Sequence, residues 1–542
     1  MSAVAGRPDA ALAAGAPTRS RVLLERLGFG SVSADARFGW RVVFVLLLLY
    51  AVFFGFFYPN TPTNDDEAQY LRQTVLLLEG RSTITVVNPF TGKAREKPPS
   101  TYSVGTAYLM APFVKLFGIE GAYLVPLLSL LVAVALTARW LQEEGRSPAF
   151  AAVLLGFPPA LVMGRVCMSD VPSAAVVALG LWLFWRGQDR AAPWWLGSGF
   201  VAGASLGFRV TNSLIFAPLF LGTVLRRERR CWALVVGGLA GLAVRLAGMY
   251  SYFGDPFFER GYYGFAPETI MERLPLFLMG ILIFVPGGLL LAIAYRGSRR
   301  PEVIATVLGF CSFYLFQVFS GIEIGHPKRL VLLLRYLIPL LPLFCFAMAE
   351  SLPRLWRQLL ARMASANRRR LELGAAVAVS LYLVGVGVAA AAVHPVLAHW
   401  SASQRQIRDV IVRYIGDGPL VSNLHATQKF LPILDLKLEP QLNQNLSIDQ
   451  LATLIERHGE FSLVLLDRSD SEFWRDDARK NQEFLDALEP RPELLFDEQM
   501  TASDHLRIWR VREVHLPASR SENDAARDRA DVPGAPGPPT AP

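Results

Sequence analysis

Acidic residues recur beside the hydrophobic segments of this chain. Asp66 and Glu67 lie directly after the first hydrophobic segment, and Asp170 lies between the third and the fourth. The polar stretch between them contains Glu96-Lys97 before two prolines. Carboxylates are costly to hold near hydrocarbon, so their repeated placement at one membrane face needs a functional reason. An acid/base site that acts on a lipid-linked substrate would supply that reason.

The composition is that of a polytopic α-helical membrane protein. The 542 residues are 52% hydrophobic and contain more long apolar runs than a soluble protein of this length carries. The net charge of +8 does not indicate nucleic-acid binding, because the basic residues are distributed by membrane side rather than pooled in a patch. The four cysteines lie in or beside apolar segments without metal-ligand spacing, so we expect them to act as small apolar residues.

About eleven membrane spans are predicted, and the first is a retained anchor rather than a cleaved signal peptide. Residues 1–38 are expected to be cytoplasmic and largely disordered. The spans are expected at about residues 39–58, 121–139, 149–167, 171–186, 194–208, 212–225, 232–250, 275–295, 302–320, 331–349 and 371–393.

The arginine distribution predicts the orientation in a plasma (inner) membrane. With a cytoplasmic N-terminus, nearly every dense arginine cluster lies inside, including residues 226–230 and 296–300, and the C-terminus lies outside. Residues 101–117 are apolar but contain Pro112 and Lys115, and counting them as a span would reverse this pattern. We therefore expect an interfacial helix there, with a true span as the alternative.

Two domains are predicted. Residues 39–393 would form the transmembrane domain, with a first outer loop at 59–120. Residues 394–518 would form a small extramembrane α/β domain, because they contain one helical pattern and three strand patterns, at 404–415, 420–422, 461–467 and 506–511. Residues 519–542 are rich in Ala, Pro, Gly and Asp and predict a disordered tail.

The first outer loop contains the densest candidate site. Thr63 and Asp66 have capping-box spacing before a helical run that stops at Gly80. Asp66 would then lie in the first turn, where the positive helix end favours its ionised form, and Tyr70 would share its face. Helix capping alone is the alternative, but three consecutive acids exceed what capping requires.

Four further residues could bind a phosphate or supply a second carboxylate. The prolines after Lys97 would fix the direction of its ammonium group toward a lipid phosphate, although an ordinary rigid surface turn is the alternative. Asp170 could cap the fourth span or pair with Asp66. Arg335, followed by Tyr336, could bind phosphate or extend to lipid headgroups, and Arg209 has the same two interpretations.

Other functional classes are less well supported. The sequence contains no P-loop, dinucleotide fingerprint or nucleophile elbow, and its scattered histidines do not support a Ser/His/Asp hydrolase. A secondary transporter would use the acids as proton or ion sites, but transporters place such groups near mid-membrane and often within repeats. A non-catalytic scaffold with a C-terminal binding domain is a third alternative.

Taken in order, these motifs resemble the GT-C membrane glycosyltransferases. The matching elements are Asp-Glu-x-x-Tyr at 66–70, Lys-Pro-Pro at 97–99, an Asp after the third span and Arg-Tyr-Leu-x-Pro at 335–339. The chain is most similar to the protein O-mannosyltransferase-like and aminoarabinose-transferase-like members. The resemblance covers about residues 39–350 and rests on the order and the common membrane side of the motifs.

The resemblance implies transfer of a sugar from a polyprenyl-phosphate donor at the outer face to a lipid, glycan or protein acceptor. Asp65, beside Asp66, departs from the family pattern. The site residues that the resemblance implies are Asp66, Glu67 and Asp170 as catalytic acids, and Tyr70, Glu96, Lys97, Arg335 and Tyr336 as substrate-binding residues.

The chemistry is consistent with these residue types. An acceptor hydroxyl is a poor nucleophile and needs a base, worth about 10²–10⁴-fold, which Asp66 or Asp170 could supply. The leaving phosphate needs charge stabilisation, which Lys97 and Arg335 could supply. This scheme requires no metal and no cofactor, since the lipid-linked sugar is itself the donor substrate.

Overall fold

The computed structural model describes residues 19–29, 36–98, 100, 102–188, 191–258, 270–285, 287–316, 333–415, 418–423, 438–468, 472–502 and 504–514. The chain divides into two compact units. The first comprises Met1–Ser82 and Pro98–Ser401, and the second comprises Thr83–Lys97 and Ala402–Pro542. The expected disordered tail, residues 519–542, lies outside the described residues.

The first unit is helical. Its helices are α1 (Arg19–Arg26), α2 (Ala36–Phe56), α3 (Asp65–Leu78), α4 (Gly105–Phe117), α5 (Leu124–Glu143), α6 (Ala152–Leu155), α7 (Pro158–Met163), α8 (Asp170–Gln188), α9 (Ala192–Ser205), α10 (Ser213–Leu225), α11 (Cys231–Phe253), α12 (Ile270–Phe284), α13 (Gly288–Ile293), α14 (Arg300–Phe316), α15 (Leu341–Ala361) and α16 (Ser365–Tyr414), the last of which continues into the second unit. Short 3-10 helices occur at Ile119–Tyr123, Pro148–Ala151, Val210–Asn212 and Arg335–Leu340.

Five segments of the described chain are long and apolar enough to cross a membrane, judged by length and composition. They are Ala36–Phe56, Ile119–Glu143, Cys231–Phe253, Arg335–Ala361 and Asn367–Tyr414. The expected class, a mostly helical membrane protein, agrees with these segments. The number of eleven spans stays a prediction.

Two predicted spans are interrupted. The span expected at 149–167 consists of a 3-10 turn, α6 and α7 rather than one continuous helix. Pro158 and Pro159 lack the amide hydrogens that a continuous helix needs, and α7 begins at Pro158, where no such hydrogen is required. The segment expected at 275–295 is divided between α12 and α13, where Gly287 has a positive φ of 68°.

Close helix packing fixes the turn that follows α9. A Cβ on Gly203 of α9 would lie 2.3 Å from the carbonyl oxygen of Gly238 in α11, and one on Gly241 of α11 would lie 2.0 Å from that of Phe200. Only residues without a side chain permit this approach. The end of α9 is therefore held in place, and the turn that contains Arg209 begins there.

The second unit is built on a five-stranded mixed sheet. Its strands are β3 (Leu420–Ser422), β4 (Gln441–Leu442), β5 (Phe461–Arg468), β6 (Glu493–Gln499) and β7 (Asp504–Val511), in the order β4-β3-β5-β7-β6. The pairs β4-β3 and β3-β5 are parallel, and the pairs β5-β7 and β7-β6 are antiparallel. Three of these strands overlap the strand patterns of the sequence.

Helices cover both faces of this sheet. Ile407 and Ile411, from the end of α16, pack on one face. The other face packs against α17 (Ile448–His458) and α18 (Glu472–Asp486). Helix α16 therefore runs past residue 393, where the sequence placed its end. The unit also contains a hairpin from the first outer loop, formed by β1 (Ile84–Val87) and β2 (Ala94–Lys97).

Candidate active site

The start of α3 sets the direction of the first acidic motif. Asn64 is the N-cap, and its side-chain oxygen accepts a hydrogen bond of 2.9 Å from the backbone N–H of Glu67. The assignment of Thr63 as the capping residue was therefore wrong by one position. Asparagine is as effective an N-cap as threonine. Because Asn64 caps the helix, the backbone N–H of Thr63 can donate a hydrogen bond to a different acceptor. The predicted stop at Gly80 is confirmed, since Gly80 has a φ of 69° directly after the helix end.

Glu67 is fully buried and faces protein groups. Its Oε2 accepts hydrogen bonds from the N–H (2.6 Å) and hydroxyl (3.0 Å) of Thr63, and its Oε1 accepts one of 2.9 Å from the N–H of Cys167. Burial raises the pKa of this carboxyl to about 7, although these hydrogen bonds lower it. Glu67 thereby joins the start of α3 to the segment that leads to Asp170.

Asp66 faces a different environment from that of its neighbour Glu67. Its Oδ1 accepts a hydrogen bond of 2.6 Å from the Tyr102 hydroxyl, and its Oδ2 lies 3.0 Å from Nη2 of Arg335. The Asp66 side chain is 28% exposed, whereas Arg335 is 13% exposed. A carboxylate with two charge-stabilising donors and a solvent-accessible side can still accept a proton from a substrate.

Tyr102 connects Asp66 to the aromatic face of α3. Its ring stacks on Tyr70, with centroids 4.8 Å apart and planes at 13°. Its carbonyl oxygen accepts a hydrogen bond of 3.1 Å from Gln73. Burial and the nearby Asp66 raise the pKa of Tyr102 well above its usual range, so the phenol remains protonated and donates to Asp66. The predicted shared face of Asp66 and Tyr70 is thus realised through Tyr102.

Asp170 forms a second ion pair. It is the first residue of α8 and is 1% exposed, and its carboxylate accepts a hydrogen bond from Nη1 of Arg209. The turn that holds Arg209 is tied to α8 because the Ser173 hydroxyl donates to Oδ1 of Asn212 at 2.8 Å. A buried carboxylate and guanidinium require each other, since either alone would be an uncompensated charge.

Tyr336 lies between the two ion pairs. The guanidinium carbons of Arg209 and Arg335 are each 4.9 Å from the centroid of its ring. The ring also stacks on Tyr314, with centroids 4.9 Å apart. Nη2 of Arg335 donates a hydrogen bond of 3.1 Å to the Tyr336 hydroxyl. The two carboxylates and two guanidiniums therefore form one neutral cluster around a shared aromatic ring.

Glu96 and Lys97 belong to the second unit. Glu96 lies in β2, and its carboxylate accepts hydrogen bonds from the hydroxyls of Thr83 and Thr85, the latter at 2.6 Å. The backbone of Lys97 pairs with Ile84 of β1. Pro99 lies outside the described residues. The roles that the sequence assigned to Glu96 and Lys97 stay predictions.

Four of the eight candidates from the sequence lie in the cluster around Tyr336: Asp66, Asp170, Arg335 and Tyr336. A fifth, Tyr70, stacks on Tyr102, which donates a hydrogen bond to Asp66. Sequence reasoning missed Tyr102 and Tyr314. Tyr102 lies at the polar start of an apolar segment, and this position was the one sequence signal that could have identified it as a site residue. Within the described part of the chain, no three His, Cys, Asp or Glu residues are grouped as a metal site.

Comparisons with known proteins show which family model and which solved structures this chain is similar to. Residues 98–251 match the family model described as dolichyl-phosphate-mannose-protein mannosyltransferase. The structure matches ArnT from Cupriavidus metallidurans bound to undecaprenyl phosphate, with a TM-score of 0.53 and 17% identity over 89% of this chain and 100% of that chain. The chain has the fold of ArnT. The apo state of the same ArnT matches with a TM-score of 0.51 and 16% identity over the same shares.

The ArnT-like fold and the family match confirm the resemblance to GT-C membrane glycosyltransferases that the motifs predicted. The matched segment contains Asp170 and Arg209, and it begins one residue after Lys97. A comparison with curated proteins finds no match.

Proposed function

We propose that this protein transfers a sugar from a polyprenyl-phosphate donor to an acceptor hydroxyl or phosphate at the outer face of the plasma (inner) membrane. The acceptor is a lipid, a glycan or a protein. The observation that carries the proposal is the partly exposed carboxylate of Asp66, held by Arg335 and Tyr102. The ArnT-like fold supports it, because that ArnT was solved with undecaprenyl phosphate bound.

Asp66 is the proposed base. The acceptor oxygen attacks the anomeric carbon, the bond from that carbon to the phosphate oxygen breaks, and polyprenyl phosphate leaves with the electron pair. For a hydroxyl acceptor, the released proton passes to Asp66. The exposure of Asp66 favours it over Asp170, which is 1% exposed and paired with Arg209.

Arg335 is the proposed ligand of the donor phosphate in this unit. Its Nη2 contacts Asp66 and Tyr336, and its buried Nε has no hydrogen-bond partner within the described residues. A buried donor without a partner is uncommon and indicates a group that another molecule can satisfy. An anion that takes over part of the Arg335 guanidinium would also weaken the contact between Arg335 and Asp66.

The remaining residues are proposed to position these two. Asp170 and Arg209 fix one side of Tyr336, and Glu67 holds the start of α3 against the segment before α8. Lys97 is proposed as a further phosphate ligand because it lies in the Lys-Pro-Pro motif. The scheme uses no cofactor, since the donor lipid carries the sugar.

The test uses purified full-length protein in nanodiscs with polyprenyl-phosphate lipids. We expect the wild-type protein to bind undecaprenyl phosphate, to transfer sugar from a polyprenyl-phosphate sugar and to be inhibited by the free lipid phosphate. Lys97→Ala should weaken binding of both lipids by roughly 10-fold or more, because each retains the anion. A protein that binds no polyprenyl phosphate, but moves a solute in an Asp66-dependent way, would instead be a transporter.

A further inference from the structure

The segment with Glu96 and Lys97 lies on a small hairpin with a defined turn. Strands β1 and β2 pair antiparallel from Ile84↔Lys97 to Val87↔Ala94. In the turn, Oδ1 of Asn88 accepts hydrogen bonds from the N–H groups of Phe90 (2.9 Å) and Thr91 (3.0 Å). A two-stranded hairpin of this length is marginally stable alone in water, so its position depends on what it packs against.

The tip of the hairpin is anchored to the last turn of α17. Nη1 of Arg457 donates a hydrogen bond of 2.7 Å to the carbonyl oxygen of Phe90. Nε2 of His458 donates one of 2.8 Å to the carbonyl oxygen of Pro89. Gly92 has a φ of 66°, and a Cβ there would lie 2.0 Å from Nη2 of Arg457, so the tip and the arginine fit closely.

The side of the hairpin is anchored to the chain that leads into β4. Val87 forms a parallel bridge with Leu438, and the N–H of Glu439 donates a hydrogen bond of 2.9 Å to the carbonyl oxygen of Val87. The carboxylate of Glu439 pairs with the guanidinium of Arg95. The hairpin is thus attached to the segment directly before β4, the edge strand of the five-stranded sheet.

The hairpin also contributes to the core of the second unit. The side chain of Phe90 packs against the cluster that contains Leu451 and Leu454 of α17 and Trp509 of β7. Burial of an aromatic ring in such a cluster stabilises the docked hairpin. The hairpin is therefore held by hydrogen bonds at its tip, by an ion pair along its side and by the packing of Phe90 against the core of the second unit.

We propose that the second unit positions the Lys97 segment, so that phosphate binding by Lys97 depends on α17 and Glu439. The inference rests on the proposed function, because Lys97 is the phosphate ligand there. A binding group must be held within about 0.5 Å of its working position, and the hairpin alone is too weakly stable to do so. The residues named here act through the hairpin and need not touch the substrate.

The test weakens the anchor and measures both the hairpin and the ligand. The double variant Arg457→Ala/His458→Ala should raise the Kd for undecaprenyl phosphate in nanodiscs about 10-fold, because it removes two hydrogen bonds that hold the tip. Amide hydrogen exchange in residues 84–97 should increase, while exchange in α3 stays unchanged. Gly92→Ala is a second variant, which strains the tip while leaving α17 intact.

The ion pair between Arg95 and Glu439 allows a charge-reversal experiment in which a double variant restores binding. Arg95→Glu and Glu439→Arg alone should each weaken undecaprenyl phosphate binding, and the two together should restore most of it. Arg479→Ala is the matched control, because Arg479 lies exposed on α18 and pairs with Asp476 and Glu483 of its own helix. It should leave the Kd and the exchange of the hairpin at wild-type values.

The outcomes separate this inference from the proposed function. A wild-type protein that does not bind undecaprenyl phosphate overturns the proposed function. If the wild type binds it and Lys97→Ala binds it less well, the anchor variants decide the inference. Anchor variants with wild-type Kd, or with unchanged exchange in residues 84–97, overturn it.

Discussion

The two ion pairs beside Tyr336 have the same chemical groups but different burial. In the pair Asp66–Arg335, the carboxylate side chain is 28% exposed, whereas in the pair Asp170–Arg209 it is 1% exposed. Both arginines lie 4.9 Å from the same ring. The exposed carboxylate can meet a substrate, and the buried one can only hold its arginine. Under the proposed function, this difference in burial distinguishes the reactive carboxylate from the positioning one within one cluster.

The largest effect is expected from breaking the buried pair. Asp170→Ala leaves Arg209 as an uncompensated charge and should lower the free energy of unfolding by about 3–5 kcal/mol. Asp66→Ala should lower it by less, because the exposed side of that carboxylate admits water to the pair. Thermal unfolding of both variants in detergent measures the difference, and equal losses would show that the two pairs are equally structural.

A second prediction compares the neighbours Asp66 and Glu67. The pKa of Glu67 is raised from 4.5 to about 7, so the folded state binds the proton more tightly than the unfolded state. Its contribution to stability is complete below about pH 4.5 and is lost as the pH rises through 7, at no more than about 1.4 kcal/mol per pH unit.

Unfolding midpoints of the wild type and Glu67→Gln across this pH range measure that contribution. The wild type should lose stability relative to the variant as the pH rises. Glu67→Gln should also be less stable overall at neutral pH, because its amide N–H₂ would face a donor from Thr63 or Cys167. Parallel pH profiles would contradict the assignment.

The sequence predicted the cluster where local spacing carries the information. The motifs placed Asp66 in the first turn of a helix, Asp170 at the start of another and Arg335 at the beginning of a span, and all three positions agree with the structure. Helix periodicity also placed Asp66 and Tyr70 on one face. Local spacing therefore indicates which residues are neighbours within one helix.

Contacts between elements were not predictable in the same way. Tyr102 reaches Asp66 across 36 residues of chain, and Glu67 reaches Cys167 across 100. No local pattern distinguishes the buried direction of Glu67 from the exposed direction of Asp66, because the two are adjacent. Asn64 and Thr63 are both good caps, so composition alone did not decide between them.

The smallest effect is expected from the hydroxyl that supports Asp66. Tyr102→Phe keeps the ring that stacks on Tyr70 and removes one hydrogen bond to the carboxylate. We expect sugar transfer to fall about 10-fold with little change in stability. Tyr108→Phe is the control, because that hydroxyl pairs with Ser251. A Tyr102→Phe variant with wild-type kinetics would restrict the hydroxyl to a packing role.

Replacement of each carboxylate by its amide tests the central claim most directly. Single-turnover sugar transfer to a hydroxyl acceptor is measured at saturating donor for Asp66→Asn, Asp170→Asn and the adjacent control Asp65→Asn. Asp66→Asn should lose about 10²-fold or more while its Kd for undecaprenyl phosphate stays within about threefold. Folded Asp170→Asn and Asp65→Asn should lose less than about 10-fold. Wild-type turnover by Asp66→Asn would contradict its assignment as the base.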